Sequence, residues 1–314
     1  GETTIKSASD LTLGNLELGG NKLILDFGDK ALILPKTLAM ETANSVIETG
    51  VSGLTLSNPL QLNKGSITST GGTLSFAGGL TLGAGGTLDV TDSTLSTGGN
   101  LELSAGTFTT SDNSELNLTA ATTLSTSSMV TFENIFFNTN ALTLGTESTH
   151  IKLCPSGSLR AYPGTTFNTG QGSLTMTCDM RLSRDSQWSS TGGTITLENG
   201  GFVPYDSILS ISNSTLNLGS FIRVMGTEGS KLYLNNTTLN TNGNSIDILS
   251  NLEVEGNQDL SGVDLSDGTF SLAGDATINS DAALSAKTLN LEDNVLTLND
   301  AMAGLEVSEP VTIN

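Results

Sequence analysis

Residues 70–106 read TGGTLSFAGGLTLGAGGTLDVTDSTLSTGGNLELSAG. Apolar residues alternate there with threonine, serine and other small polar residues, and each run stops at glycine, asparagine, aspartate or serine. An apolar residue at every second position is the period of a half-buried strand, and the stops are turn formers. The runs are too short for helices, which need about 10–12 residues of 3.6-residue periodicity.

Outward from this stretch the same unit recurs. Leu74, Leu95 and Leu116 lie 21 residues apart, as do Leu80 and Leu101, and Leu153, Leu174, Ile195 and Leu216 keep the step. Within one step the strand centres fall at Leu74, Leu80 and Leu88 before Leu95 opens the next, so each repeat holds three strands. A fixed period of this length marks a repeat architecture. Three short strands, each followed by a turn, describe one coil of a triangular solenoid. The predicted fold is therefore all-β, a single-stranded parallel β-helix (β-solenoid) with three short strands per coil and about 21 residues per coil. Coils stack at about 4.8 Å, aliphatic side chains line up inside, and glycine and asparagine supply the positive φ of tight corners. An antiparallel β-sandwich also has short strands. It would lack the sustained period and would repeat hairpin dipeptides, which occur here at Asn199-Gly200, Asn242-Gly243 and Asp267-Gly268.

Residues 1–314 are read as one continuous solenoid. Residues 1–50 are expected to form atypical N-terminal coils, as terminal repeats do, with a protruding loop or short helix in PKTLAMETANSVIETG, residues 35–50. Regular coils occupy 51–250. From residue 251 the step shortens to about 19 or 20, as in Leu252, Leu272 and Leu291.

Composition narrows the function. Aromatic residues make up 4% of the chain while 36 of its 314 residues are glycine, which argues against the thick core of a globular enzyme. Thirty-two acidic side chains against 12 basic ones give a net charge of −20, which disfavours nucleic acid and anionic bilayers as partners. No apolar run approaches the roughly 20 residues that span a bilayer, so direct membrane insertion is not expected.

Chemistry-bearing residues are few. Cys154 and Cys178 lie 24 residues apart, about one coil, which suits a disulfide between stacked coils and an oxidising, extracytoplasmic setting. A single histidine, His150, excludes a zinc site built from two or three imidazoles, and no Ser-His-Asp motif is present. Five of the thirteen cationic or potentially cationic residues, His150, Lys152, Arg160, Arg181 and Arg184, fall within 35 positions, and Arg160 and Arg181 are one 21-residue step apart. Lys152, Arg160, Arg181 and Arg184 are thus a candidate anion or ligand patch. Such a patch on a parallel solenoid suits either an acidic polysaccharide or a salt-bridge ladder with Asp179 and Asp185. Asp259, Asp264 and Asp267 are candidate Ca²⁺ ligands near corners, although their spacing matches no calcium-loop motif; solvated turn aspartates are the plainer reading. No other cofactor is expected.

The phrases GNLELGGNKLIL, GGNLELSAGTFTT and STLNLGSF resemble the repeats of secreted bacterial β-solenoids, the filamentous-haemagglutinin-like adhesins and autotransporter passenger domains. The resemblance implies export to the cell surface or beyond, with roles in adhesion or matrix building. Charge adds a direction. Residues 1–66 hold 7 acids and 5 bases, net −2, and residues 232–314 hold 13 acids and 1 base, net −12. The expected function is a non-catalytic extracellular subunit that associates head to tail with itself in a fibre, sheath or biofilm matrix. The alternative is an adhesin binding glycans or a host surface protein, and a polysaccharide lyase or hydrolase stands third.

Overall fold

Leucine, isoleucine and phenylalanine at alternate positions point one way from short strands, and the strands stack so that these side chains meet. The computed structural model describes residues 1–146, 148–153, 159–161, 163–178, 180–198, 202–204, 206–225, 229–299, 304–309 and 311. The chain divides into two units, residues 1–156 and 157–314, each a parallel β-solenoid. Among the described residues there is no helix and every strand pairing is parallel, which removes the antiparallel sandwich.

In the first unit one face carries the ladder Leu11, Leu32, Leu54, Leu74, Leu95, Leu116 and Ile135, each directly over the last. A second face stacks Leu60, Leu80, Leu101, Leu124 and Leu144. A third stacks Leu23, Ile47, Ile67, Leu88 and Phe108. These are the three faces of each coil, and the step is most often 20 or 21, with extremes of 19 from Leu116 to Ile135 and 24 from Leu23 to Ile47. Leu32 and all later members of the first two ladders are buried, at about 1.5–3 kcal/mol for each leucine fully removed from water.

The second unit repeats the design with Leu174, Ile195, Leu216 and Leu239 on one face. Phe167, Trp188, Leu209, Leu232, Leu252, Phe270 and Leu289 occupy another. Phe167 and Trp188 stack with ring centroids 5.8 Å apart, and both are buried, so this pair thickens the core.

Corners have their own chemistry. Buried serines cap the main chain of the neighbouring coil: Ser52 Oγ accepts from Phe27 N at 2.9 Å, Ser93 Oγ from Gly71 N at 2.9 Å, and Ser214 Oγ from Gly192 N at 2.8 Å. A corner N–H has no ladder partner, so an inward hydroxyl supplies one. Gly79, with φ +89°, shows why glycine is needed, since a β-carbon there would lie 2.5 Å from Asn100 O.

Three local features depart from a uniform repeat. Residues 35–50 form no helix; the strands Thr37–Ala39 and Val46–Gly50 flank an exposed turn at 42–44. Their coil is longer, with Lys22 beneath Val46 24 residues on, and Ser45 Oγ accepts from Gly20 N across the enlarged corner. The glycines of residues 83–86 do not break the chain into two strands; Leu80–Asp89 is continuous with a register shift between Leu82 and Gly85. Beyond residue 251 the step does shorten, to 18 from Leu252 to Phe270, 20 from Asn257 to Thr277 and 19 from Phe270 to Leu289.

Candidate functional site

Alternation that buries leucine puts its neighbours on the outside, where successive coils bring them within reach of one another. In the first unit Asn138 Nδ2 donates to Asn117 Oδ1 at 2.7 Å, and Asn117 Nδ2 donates to Ser96 Oγ at 3.0 Å. In the second, Asn240 Nδ2 donates to Asn217 Oδ1 at 2.7 Å, and Asn217 Nδ2 to Thr196 Oγ1 at 3.3 Å. Charges follow the same rule. Lys22 sits between Glu48 at 2.9 Å and Glu2 at 3.4 Å, and Lys6 meets Asp26 at 2.8 Å. Lys231 meets Glu253 at 2.7 Å, and Tyr233 donates to Glu255 at 2.6 Å. The half-buried Tyr233 phenol is pushed up to about 12, first by burial and then by the carboxylate that holds its proton.

The basic cluster of the sequence divides. Lys152 lies half-buried on His150–Leu153 of the first unit, in register with Thr131. His150 is in register with Met129, and burial holds its imidazole below the ordinary range. In the second unit Arg160 stands in register with Arg181, as the 21-residue step predicts. Asp179 lies outside the described residues. Arg184 reaches Asp206, with Nη2 3.6 Å from Oδ2, and the pair borders a cleft of about 420 Å³ with Asp185, Gln187 and Gly229. Asp206 was not singled out from the sequence; it lies 22 residues after Arg184, one more than the 21-residue step.

The three aspartates considered for Ca²⁺ do not converge. Asp259 borders a cleft with Asn240, Gln258 and Asn279, whereas Asp264 and Asp267 border another with Arg223 and Asp247. Burial works to raise the Asp259 carboxyl, but hydrogen bonds from Ser261 and Asn279 outweigh it and hold the group below the usual range. Among the described residues no three carboxylate, imidazole or thiol groups are placed to hold a metal ion.

That second cleft belongs to a surface the sequence reading missed. Arg223 pairs with Asp247 at 2.9 Å, Asp264 follows Asp247 in register, and the guanidinium lies 5.8 Å from the Phe221 ring centroid. Phe221 is 47% exposed and Leu249 beside the cleft 41%. At one end of the first unit, Glu2–Lys6 is bonded to Lys22–Asp26 along one edge. Ile5, Leu11, Leu13 and Leu16 in that coil are only half-covered. Cys178 is 5% exposed and not a free thiol; Cys154 lies outside the described residues.

Among the described residues no helix is long and apolar enough to cross a membrane. No curated protein and no solved structure matches the chain. Residues 55–128 match the family model of the haemagglutinin repeat, and that segment contains the strands from Thr73–Phe76 to Thr122–Ser125 of the first unit. In this segment and in its stacked parallel strands the chain resembles the filamentous-haemagglutinin-like solenoids, and both features fit an adhesin-like or secreted repeat protein.

Proposed function

We propose that the chain is a non-catalytic, extracellular structural solenoid that associates end to end with copies of itself in a surface fibre, sheath or biofilm matrix. The carrying observation is the coil containing Glu2–Lys6, whose main chain is paired on one edge and whose Ile5, Leu11, Leu13 and Leu16 are half-covered. In a parallel solenoid each coil is the template for the next, so such an edge accepts a coil of matching register. The net charges of −2 for residues 1–66 and −12 for residues 232–314 favour contact between unlike ends over contact between the acidic ones.

Electron microscopy of the purified protein, with and without added salt and Ca²⁺, tests this reading. Fibres that disappear when residues 1–25 are deleted support it. A chain that stays single at high concentration in salt and Ca²⁺ refutes it, and an edge covered by further coils of the same chain would give that result.

A second reading, an adhesin for glycans or a host protein, is favoured by the haemagglutinin-repeat match and by Phe221 and Leu249 exposed beside Arg223 and Asp247. A polysaccharide lyase or hydrolase would use the arginine face of the second unit. Its test is release of unsaturated or reducing ends from acidic polysaccharides, abolished by Arg181→Ala.

A further inference from the structure

We propose that Asn213 is an acceptor site for N-linked sugar, the one such site that the fold leaves available. The inference rests on the reading of the chain as an exported surface protein. Four asparagines are followed at the second position by threonine: Asn117 with Thr119, Asn213 with Thr215, Asn235 with Thr237, and Asn236 with Thr238. Asparagine followed two residues later by serine or threonine, without an intervening proline, is the acceptor pattern for a transferred sugar. In a chain rich in asparagine and threonine the pattern arises by chance, so geometry must choose among the four.

Three of them are committed elsewhere. Asn117 donates to Ser96 and accepts from Asn138 within the outer ladder. Asn235 Nδ2 donates to the Tyr233 hydroxyl at 3.2 Å, and its threonine, Thr237, is buried and donates to Ile211 O at 2.7 Å. Asn236 Nδ2 donates to Asn235 Oδ1 at 2.9 Å, and its own Oδ1 accepts from Asn257 N at 3.0 Å. A sugar on any of these nitrogens replaces one of its two hydrogens and has to fit beside a carboxamide already held by its neighbours.

Although Asn236 is also exposed at a left-handed corner, Asn213 differs in its carboxamide, which is uncommitted among the described residues. It occupies the corner between Ile208–Ser212 and Thr215–Leu218 in a left-handed conformation, φ 48°. Its backbone N–H is held by Asn235 O at 2.8 Å, its side chain is exposed, and the carboxamide makes no hydrogen bond among the described residues. Ser214 points inward, where its hydroxyl binds Ser190, Gly192 N and Ser212 O. That anchor fixes the corner while leaving Asn213 and the Thr215 hydroxyl, which likewise makes no side-chain hydrogen bond among the described residues, to the outside. A bulky polar group at this nitrogen therefore extends from a rigid corner without disturbing a coil.

The chemistry needs an external transferase and a sugar joined to a nucleoside or lipid diphosphate. The Asn213 Nδ2 attacks the anomeric carbon, the N–C1 bond forms, and the bond from C1 to the diphosphate oxygen breaks with its electron pair leaving on the diphosphate. The amide proton passes to a base of the transferase.

Peptide mass spectrometry of the protein recovered from the cells that make it tests the proposal. Whole-monosaccharide mass increments are expected on the peptide containing Asn213 and on none containing Asn117, Asn235 or Asn236. Asn213→Gln and Thr215→Ala should each remove the increment, the latter with the asparagine still in place, and Thr215→Ser should retain it. Unmodified Asn213, or sugar on any of the other three asparagines, overturns the assignment. Fibre formation is read separately by microscopy, so failure here leaves the end-to-end reading to its own test.

Discussion

Leu95→Ala probes the stacking that holds each unit together. Leu95 lies in register between Leu74 and Leu116, and all three are fully buried. The substitution deletes three carbon groups at about 0.8 kcal/mol each, or about 2.4 kcal/mol of transfer free energy. The neighbours above and below belong to hydrogen-bonded parallel strands and cannot move in to fill the space, so the cavity left behind raises the cost to about 3–5 kcal/mol. Native-state hydrogen exchange is the suitable assay, because a long repeat array need not unfold in a single step. Amides of Thr73–Phe76, Thr94–Thr97 and Glu115–Leu118 should open at least about 100-fold more readily, at tenfold for each 1.4 kcal/mol. Coils contact chiefly their neighbours, so Thr194–Leu197 and Thr215–Leu218 in the second unit should keep their protection. The double variant Leu74→Ala/Leu95→Ala should depart from additivity by about 0.5–3 kcal/mol, since the two sites share one cavity. A loss below about 1 kcal/mol, equal loss of protection in both units, or strict additivity would refute the stacked-column reasoning.

The corner serines give a second expectation: Ser93→Ala and Ser214→Ala leave Gly71 N and Gly192 N without their partners, and each should cost about 1–3 kcal/mol in a denaturant melt. Tyr233 sets a third. Its folded pKa of about 12 lies above the unfolded value of 10.0, so its contribution is complete below pH 10 and is lost as pH rises toward 12; Glu255→Gln should lower the tyrosinate midpoint in an absorbance titration. On the acid side, hydrogen bonds from Ser111 and Asn113 hold the Asp92 carboxyl below its ordinary value of 3.8. Stability from that site should be full above 3.8 and fade as pH falls further, a loss that Asn113→Ala should diminish in an acid titration. The cysteine spacing predicts a linked peptide containing Cys154 and Cys178 in a non-reducing digest, and two separate peptides in that digest would remove the proposed disulfide.

The coil was legible because leucine repeats near 21 residues on three faces, and strand alternation fixes which side of each strand is buried. Corner length was not legible. Alternation says nothing about how many residues a turn takes, so the 24-residue step from Lys22 to Val46 and the 18-residue step from Leu252 to Phe270 escaped a count at fixed period. The same freedom hid the side-chain partners. Arg184 meets Asp206 22 positions on and Arg223 meets Asp247 24 positions on, and neither offset follows from 21. The Arg160 and Arg181 register was found because the intervening coil keeps the regular length. Asp259, Asp264 and Asp267 were grouped by nearness in sequence, but the corner between them turns Asp259 toward one cleft and the other two toward another.

The parallel register has a mechanical consequence. Within each unit the hydrogen bonds between coils run along the stacking direction, and the chain enters at one end of the stack and leaves at the other. Tension applied through the two ends of a unit therefore reaches the coils in series and peels an outer one while those behind it stay paired. Each coil of about 21 residues releases roughly 70 Å of slack as it straightens, and the next coil then becomes the loaded edge. A unit built this way yields in repeated small steps, dissipating a pull over many rupture events, and each detached coil has an intact neighbour on which to wind again.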